Sequence, residues 1–416
     1  MINIAVLGYG VVGSGVVEVV KKNEMSISKK AGEKIAVKRI LDIRDFPDSP
    51  DAELITKNPD EIFNDDSISI IVETIGGIGA AYEFTKRAFQ KGKHVVTSNK
   101  ELVATYGPEL LKLAKDSGVN YLFEASVGGG IPIIRPLSEC LAANEISSII
   151  GILNGTTNYI LTQMKKEGRD FASALKSAQQ NGYAEADPTA DIEGHDTCRK
   201  IAILSSIAYN EFVDYKNIHT EGITKITKED MQYAEVMGSV IKLIAVSRKV
   251  NDKIFARVSP AIISKFHPLA NVEDVFNAIL VSGNAIGDVM FYGRGAGKLP
   301  TASAVVADVI DIVKHTGNGR RNVWEKKDYN NVIDISESET RYFVRAATEN
   351  GKEVKNHILS IFGNVEFIKL ERPEFEDEIA FVTMKSTEKD LSAKVSRLKE
   401  ADTINGIKNI IRVEGE

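Results

Sequence analysis

Cysteine is nearly absent: Cys140 and Cys198 are the two in 416 residues. They are too few for a disulfide framework, which points to a reducing compartment. Cys198 reads as a small buried hydrophobe. Long apolar runs are missing too, and no window approaches the roughly 18 uninterrupted apolar residues of a membrane span. A surplus of positive charge is also lacking. Lysine and arginine number 52 against 58 aspartates and glutamates, a formal net charge of -6. No basic stripe dominates any segment, so the electrostatic footprint of a nucleic-acid binder is missing. The six histidines show no paired metal-ligand spacing and no CxxC occurs, which argues against a zinc site. Low-complexity tracts and repeat arrays are likewise lacking. Met1 runs directly through an apolar strand into a glycine motif, leaving no room for a signal or transit peptide, and a cytoplasmic location is the expectation.

What is present is an ordinary globular composition, 43% hydrophobic and 26% charged, on a chain long enough for two or three domains. Through the first third, short β-branched runs alternate with helical stretches. Ile2–Leu7, Ile35–Leu41, Ile68–Glu73, His94–Thr97 and 120–124 read as buried parallel strands, with helices over 14–22, 80–91 and 109–117. Apolar strands joined by crossover helices specify an α/β fold with a doubly wound parallel sheet of Rossmann type. A second region, 133–319, mixes helices over Phe171–Gln180, 197–208, 231–245 and 302–313 with strands over 145–153 and 253–263, an α+β pattern. A charged stretch, 320–339, reads as a linker. Residues 340–416 then run strand, helix, strand, strand, helix, strand, the βαββαβ ferredoxin-like plan.

The motif Gly8-Tyr9-Gly10-Val11-Val12-Gly13 stands where a dinucleotide site requires it, after the first strand and at the opening of the first helix. The first glycine permits the turn, the second admits pyrophosphate to the backbone, and the third lets helix and strand pack closely. The helix N-terminus supplies unpaired N–H donors to the phosphates. At the end of the second strand an acidic residue binds the 2′-OH of NAD, whereas an arginine accepts the 2′-phosphate of NADP. Both Asp42 and Arg44 are there, and the sequence leaves the choice open.

The richest stretch for chemistry is the acidic loop 182–194, from Gly182 through Glu185 and Asp191, leading into an apolar helix that carries Asp196 and Lys200. Residues four apart share a helix face, and a lysine beside a carboxylate can relay a proton to a substrate oxygen. The same spacing also suits a plain helix-stabilising ion pair. Glu185 and Asp191 are placed to hold a substrate ammonium, and His195 reads as a bystander. Lys100, in Thr97-Ser98-Asn99-Lys100, follows the fourth expected strand at the carboxyl edge of the sheet, where ligands bind in this architecture. The run from Glu124 through Val127, Gly129 and Ile131 follows the fifth, and its glycines either present carbonyls to an ion or form a hinge. These features favour an enzyme that passes a hydride between a nicotinamide dinucleotide and a small amino-acid-like substrate.

Beside these residues stand further strings: Asn154-Gly155-Thr156-Thr157-Asn158, Gly182-Tyr183-Ala184-Glu185-Ala186-Asp187-Pro188, His267-Pro268-Leu269-Ala270 and Gly293-Arg294-Gly295-Ala296-Gly297-Lys298. In this order, and nearly end to end, the chain resembles the homoserine dehydrogenases. The resemblance implies NAD(P)H-dependent interconversion of L-aspartate 4-semialdehyde and L-homoserine, in the biosynthesis of threonine, methionine and isoleucine. It implies Lys200 as proton donor and acceptor with Asp196 as its partner. Glu185, Asp191 and the Gly182 turn would lie at the substrate, with Lys100 between substrate and nicotinamide. A monovalent cation, typically sodium, would be held at Glu124, Val127, Gly129 and Ile131 through main-chain oxygens, and Gly297 would lie over the cofactor. By the same resemblance, 1–132 is the dinucleotide-binding domain, to which helix 302–313 returns. Residues 133–319 bind substrate and build a homodimer, and 340–416 is similar to an ACT regulatory domain with an amino-acid effector. That domain departs from its pattern, since Thr348-Glu349-Asn350-Gly351 keeps only the glycine of the usual Asp-x-Pro-Gly turn. Two alternatives remain: a dehydrogenase of another amino-acid aldehyde, or a non-catalytic dinucleotide and amino-acid sensor.

Overall fold

The β-branched runs of the N-terminal third form a parallel sheet whose six strands are β1 (Ile2–Leu7), β2 (Ile35–Leu41), β3 (Ile55–Thr56), β4 (Ile68–Glu73), β5 (His94–Thr97) and β6 (Tyr121–Leu122). Their order is β3-β2-β1-β4-β5-β6, that of a doubly wound dinucleotide fold. The structure, a computed structural model, describes residues 1–315, 324–348, 351–370 and 377–415, with the backbone alone at 351 and 352. Contacts divide the chain into two compact units. The first comprises Met1–Ser147, Arg199–Tyr215 and Val281–Tyr329; the second comprises Ser148–Cys198, Lys216–Leu280 and Asn330–Glu416.

In the first unit, Ile4, Val6, Ile40, Ile70, Val72 and Val96 fill the sheet core. The helix Val11–Lys22 and the late helix Lys298–Lys314 pack over them, burying Val16, Val17, Val305 and Val309. The late helix therefore returns to the N-terminal sheet. The sixth strand is shorter than the expected 120–124: Glu124 opens a 3-10 turn, Glu124–Ser126, instead of ending the strand. The reason lies in its carboxylate, which is used to cap main-chain amides farther along.

The second unit is built on a mixed sheet. Antiparallel β7 (Ile146–Ile152) pairs β9 (Ser239–Val250), and β9 pairs β10 (Lys253–Ser264), which also receives β8 (His219–Thr220). The expected helix over 231–245 is overturned in its second half. The helix Lys228–Val236 stops before Gly238 (φ +63°), and the β-branched run that follows enters β9. Next along the chain come β11 (Phe276–Gly283) and β12 (Gly287–Arg294), the latter wholly in the first unit. The C-terminal elements are β13 (Glu339–Ala347), helix Gly351–Phe362, β14 (Val365–Ile368), β15 (Glu378–Thr383), the short β16 (Ser386–Thr387), helix Glu388–Lys399 and β17 (Gly406–Glu414). The four long strands lie in the order β17-β13-β15-β14, a ferredoxin-like arrangement over a core of Val344, Val354, Ile358, Phe381, Leu391 and Leu398.

This C-terminal sheet is not a separate body. β17 pairs β10 in parallel, Ala261 to Ile263 against Arg412 to Glu414. Within the stretch expected as a linker, Trp324, Asn331 and Val332 are buried, and Ile254 bridges Val332. Residues 349 and 350 of the turn compared above lie outside the described residues.

Candidate active site

The glycine motif fixes a phosphate cradle by steric exclusion of side chains. Gly8 has φ +94°, and a Cβ there would lie 2.9 Å from the carbonyl oxygen of Thr74. A Cβ on Gly13 would stand 1.9 Å from the Gly8 carbonyl oxygen, so the helix can start only over a bare glycine. At Gly10 the nearest atom is an Arg44 nitrogen at 4.0 Å, leaving the surface free for a ligand. Gly10 caps the helix Val11–Lys22 without a side-chain bond, so its first N–H groups face outward with Val11 67% exposed. This cradle fits a dinucleotide pyrophosphate. Val12 lies at the start of the same helix, and Gly297 (φ +129°) caps the helix Lys298–Lys314 in the same unit.

At the end of β2, Asp42 and Arg44 pair with each other. The buried Asp42 carboxylate accepts from the Tyr9 amide (2.7 Å), the Arg44 amide (2.9 Å), Arg44 Nε (3.0 Å) and Arg44 Nη2 (2.9 Å). The Arg44 guanidinium holds Asp42 down at about 2, against the opposing effect of burial. The arginine itself stays 59% exposed.

The carboxyl edge of the sheet carries two further acids that sequence reasoning passed over. Glu73, the last residue of β4, is fully buried and accepts from Thr97 Oγ1 (2.5 Å) and the Ile75 amide (2.6 Å). Thr97 accepts in turn from the Asn99 amide (2.9 Å), and Asn99 Nδ2 donates to the Ile75 and Gly77 carbonyls. The Asn99 side chain also caps the helix Lys100–Asp116. Glu73 thus ties the loop after β4 to the loop that presents Lys100. Burial pushes Glu73 up to about 7. Asp308, on the buried face of the late helix, accepts from the Glu124 amide (2.8 Å) and pairs with Arg135. Burial first, and then the Glu124 carboxylate, raises Asp308 to about 7. The sequence signal for both was an acid inside an otherwise apolar segment.

The Glu124 carboxylate itself accepts from the amides of Ile133 (2.6 Å), Ile134 (2.7 Å) and Arg135 (2.8 Å). Its charge is therefore spent on backbone donors, and main-chain oxygens are the donors left in this loop for a cation. Val127 and Ile131 are buried. Gly129 has φ +57°, and a Cβ on it would meet the Gly295 oxygen at 2.2 Å, while the Gly130 amide donates to Arg294 (3.1 Å). The glycine-rich stretch 293–297 is thereby packed on the loop.

In the second unit, Asn154 is the organiser, a role that its sequence motif alone does not reveal. Its Nδ2 donates to Asp191 (2.7 Å) and to Asp196 (2.9 Å), while its Oδ1 caps the helix Gly155–Glu167 at the Thr157 amide (2.8 Å). A helix-capping asparagine ahead of Gly155-Thr156-Thr157 was the available signal. Asp196 is 3% exposed, and Lys200, one turn farther along the helix His195–Tyr209, is 7% exposed. Cys198 is buried as well. Asp191 is half-buried at the end of Thr189–Ile192; Glu185 and Gly182 (φ +73°) lie in the exposed turn before it, and His195 is exposed. Asp191 and Asp196 are thus brought together by one amide, whereas Glu185 is tied through its carbonyl, to Gln179 (3.1 Å).

The sheet order, the glycine cradle and the acid-and-lysine helix define a dinucleotide-dependent oxidoreductase. The family model described as the NAD-binding domain of homoserine dehydrogenase matches residues 8–124, and that described as homoserine dehydrogenase matches 132–310. The homoserine dehydrogenase of Synechocystis sp. is 40% identical over 430 residues, covering 99% of both chains. A crystal structure of a homoserine dehydrogenase from Thiobacillus denitrificans superposes with a TM-score of 0.91 at 38% identity, covering 99% of this chain and 98% of that one. A hyperthermophilic archaeal homoserine dehydrogenase in complex with NADPH gives a TM-score of 0.63 at 30% identity, covering 74% of this chain and 97% of its own. The chain belongs to the homoserine dehydrogenase family, which are NAD(P)-dependent oxidoreductases.

Proposed function

We propose that the chain interconverts L-homoserine and L-aspartate 4-semialdehyde, with Lys200 moving the proton. The observation that carries this reading is the Asn154 amide, which holds Asp191 and Asp196 together, Asp196 lying on the helix that carries the buried Lys200 one turn on. In the oxidative direction Lys200 accepts the hydroxyl proton of homoserine, and in reduction it returns a proton to the carbonyl oxygen. Asp196 offsets the charge that Lys200 carries when protonated. Asp191 and Glu185 attract the substrate ammonium, and the Gly182 turn sets the position of Glu185. Lys100 contacts substrate on the nicotinamide side. When bound, the nicotinamide ring supplies the hydride acceptor or donor.

Gly8, Gly10, Val11, Val12 and Gly13 hold the pyrophosphate, and Gly297 lies over the dinucleotide. With Asp42 already filled by donors, the exposed Arg44 guanidinium is the group that meets the ribose, which favours NADP. The main-chain oxygens of Glu124, Val127, Gly129 and Ile131 suit a monovalent cation such as sodium. The same reading makes the protein a cytoplasmic homodimer in threonine, methionine and isoleucine biosynthesis, with 340–416 as an ACT-like effector-binding domain. No helix of the described residues is long and apolar enough to cross a membrane.

A substrate panel with NADP tests the substrate assignment. Homoserine should be oxidised fastest; a faster rate with another amino-acid alcohol would move the assignment to that substrate.

A further inference from the structure

We propose that the cleft between the C-terminal βαββαβ elements and residues 221–225 binds a small polyanion, a polycarboxylate or a phosphate compound. The cleft encloses about 440 Å³ and lies wholly within the second unit. One wall is the helix Glu388–Lys399, where Ser392, Ser396 and Lys399 recur on one face. The other is β17, which pairs β13 on one side but pairs β10 only from Arg412 onward, so among the described residues no strand covers that second side over 406–411.

Charge selects the ligand class. Lys225, Lys399, Lys408 and Arg412 line the cleft against one carboxylate, Glu221. Lys408 is committed to Glu378 (2.6 Å), and Arg412 to Glu388 and to Glu221 (2.8 Å). The Lys225 carbonyl accepts from Asn409 (3.0 Å), but the ammonium groups of Lys225 and Lys399 make no hydrogen bond or ion pair among the described residues, so two cations face the cleft uncompensated. Glu221, the one carboxylate among the described lining residues, is already held by Arg412 and His219 (2.6 Å), so an ammonium would meet no unpaired carboxylate there. The lining therefore selects against amino acids and for multiply charged anions.

The cleft wall also reaches the substrate loop. After Glu221 comes Gly222, where a Cβ would lie 2.2 Å from the Ile192 oxygen and 2.5 Å from Glu193 Cα. The Ile223 amide donates to that same Ile192 oxygen (2.8 Å). An anion drawing Arg412 away from Glu221 shifts the chain at 221–223, and this displaces 192–193, next to Asp191. This coupling rests on Asp191 being a substrate residue; binding in the cleft does not.

The test uses the full-length protein saturated with NADP, so that the dinucleotide phosphate sites are filled. Citrate and pyrophosphate are titrated separately by calorimetry at constant ionic strength. At least one should bind saturably, citrate marking the polycarboxylate class and pyrophosphate the phosphate class. The double substitution Lys225→Ala and Lys399→Ala should weaken that binding about tenfold with an unchanged melting temperature. The homoserine KM should move with the probe in the wild type and stay fixed in the double variant. No saturable binding to the wild type, or equal binding to both proteins, overturns the site. Variant-sensitive binding with an unmoved KM overturns the coupling alone. Absence of homoserine turnover would contradict the substrate assignment while the calorimetry still decides the cleft.

Discussion

Asn154 concentrates three tasks in one side chain: it joins Asp191 to Asp196 and caps the helix that follows. Its amide is the donor that lets the half-buried Asp191 and the buried Asp196 lie together. Asn154→Asp replaces that donor with a third acid and should lower homoserine kcat/KM more than tenfold, while NADP affinity stays within about twofold. Steady-state kinetics with a dinucleotide titration reads both. Equal loss of NADP binding would mean that Asn154 acts by general unfolding. Glu73 is a different case, because it joins two loops while its charge is disfavoured. The unfolded chain ionises it near the ordinary 4.5, whereas the folded chain keeps the proton up to about 7. Its favourable contribution is complete below about 4.5 and is lost as pH rises through about 7, a difference on the order of 3 kcal/mol. Glu73→Gln removes that dependence. The melting temperature of wild type minus variant should therefore fall between pH 5 and pH 8, and a rise over the same range would contradict the assignment. The sequence offered Glu73 only as the end of a strand, since its burial and its bond to Thr97 depend on strands that are distant in the chain.

At the scale of elements, the strand–glycine–helix opening was fully legible, because its requirements are local. Four of the five expected N-terminal strands match residue for residue, and the two-residue β3 was missed for lack of length. The failures came where local pattern and chain context disagree. The apolar run after Val236 suits a helix or a strand until Gly238 breaks it, and Glu124 leaves its strand to cap amides nine to eleven residues on. The cradle makes a prediction at this level. Gly10→Ala meets only an Arg44 nitrogen at 4.0 Å and should leave the melting temperature within about two degrees while weakening NADP binding about tenfold. Gly13→Ala would drive a Cβ into the Gly8 carbonyl and should lower both stability and affinity. If Gly10→Ala binds NADP as well as wild type, the pyrophosphate does not cross that glycine.

For the whole molecule, the βαββαβ order was readable from periodicity, but its attachment was not, because the parallel pairing of β10 with β17 joins residues about 150 positions apart. A chain of buried ions reinforces that attachment. Arg345 of β13 pairs with Asp230 (3.1 Å) and Glu378 (3.4 Å) and donates to Thr227 (2.9 Å), all but the last fully or nearly fully buried. Arg345→Met leaves Asp230 buried without its cation, at a cost of about 3–5 kcal/mol. Thermal unfolding should show a large loss, partly restored by adding Asp230→Asn. A melting temperature equal to wild type would mean that the C-terminal elements are held by strand pairing alone.

The central claim is that Lys200 carries the proton in homoserine oxidation, and the most direct test follows NADPH absorbance with L-homoserine and NADP for wild type and Lys200→Ala, with NADP affinity measured alongside. The expected result is rapid homoserine-dependent reduction by the wild type and a loss of at least a thousandfold in kcat for the variant, at nearly unchanged NADP affinity. A variant that turns over as fast as the wild type would contradict the account.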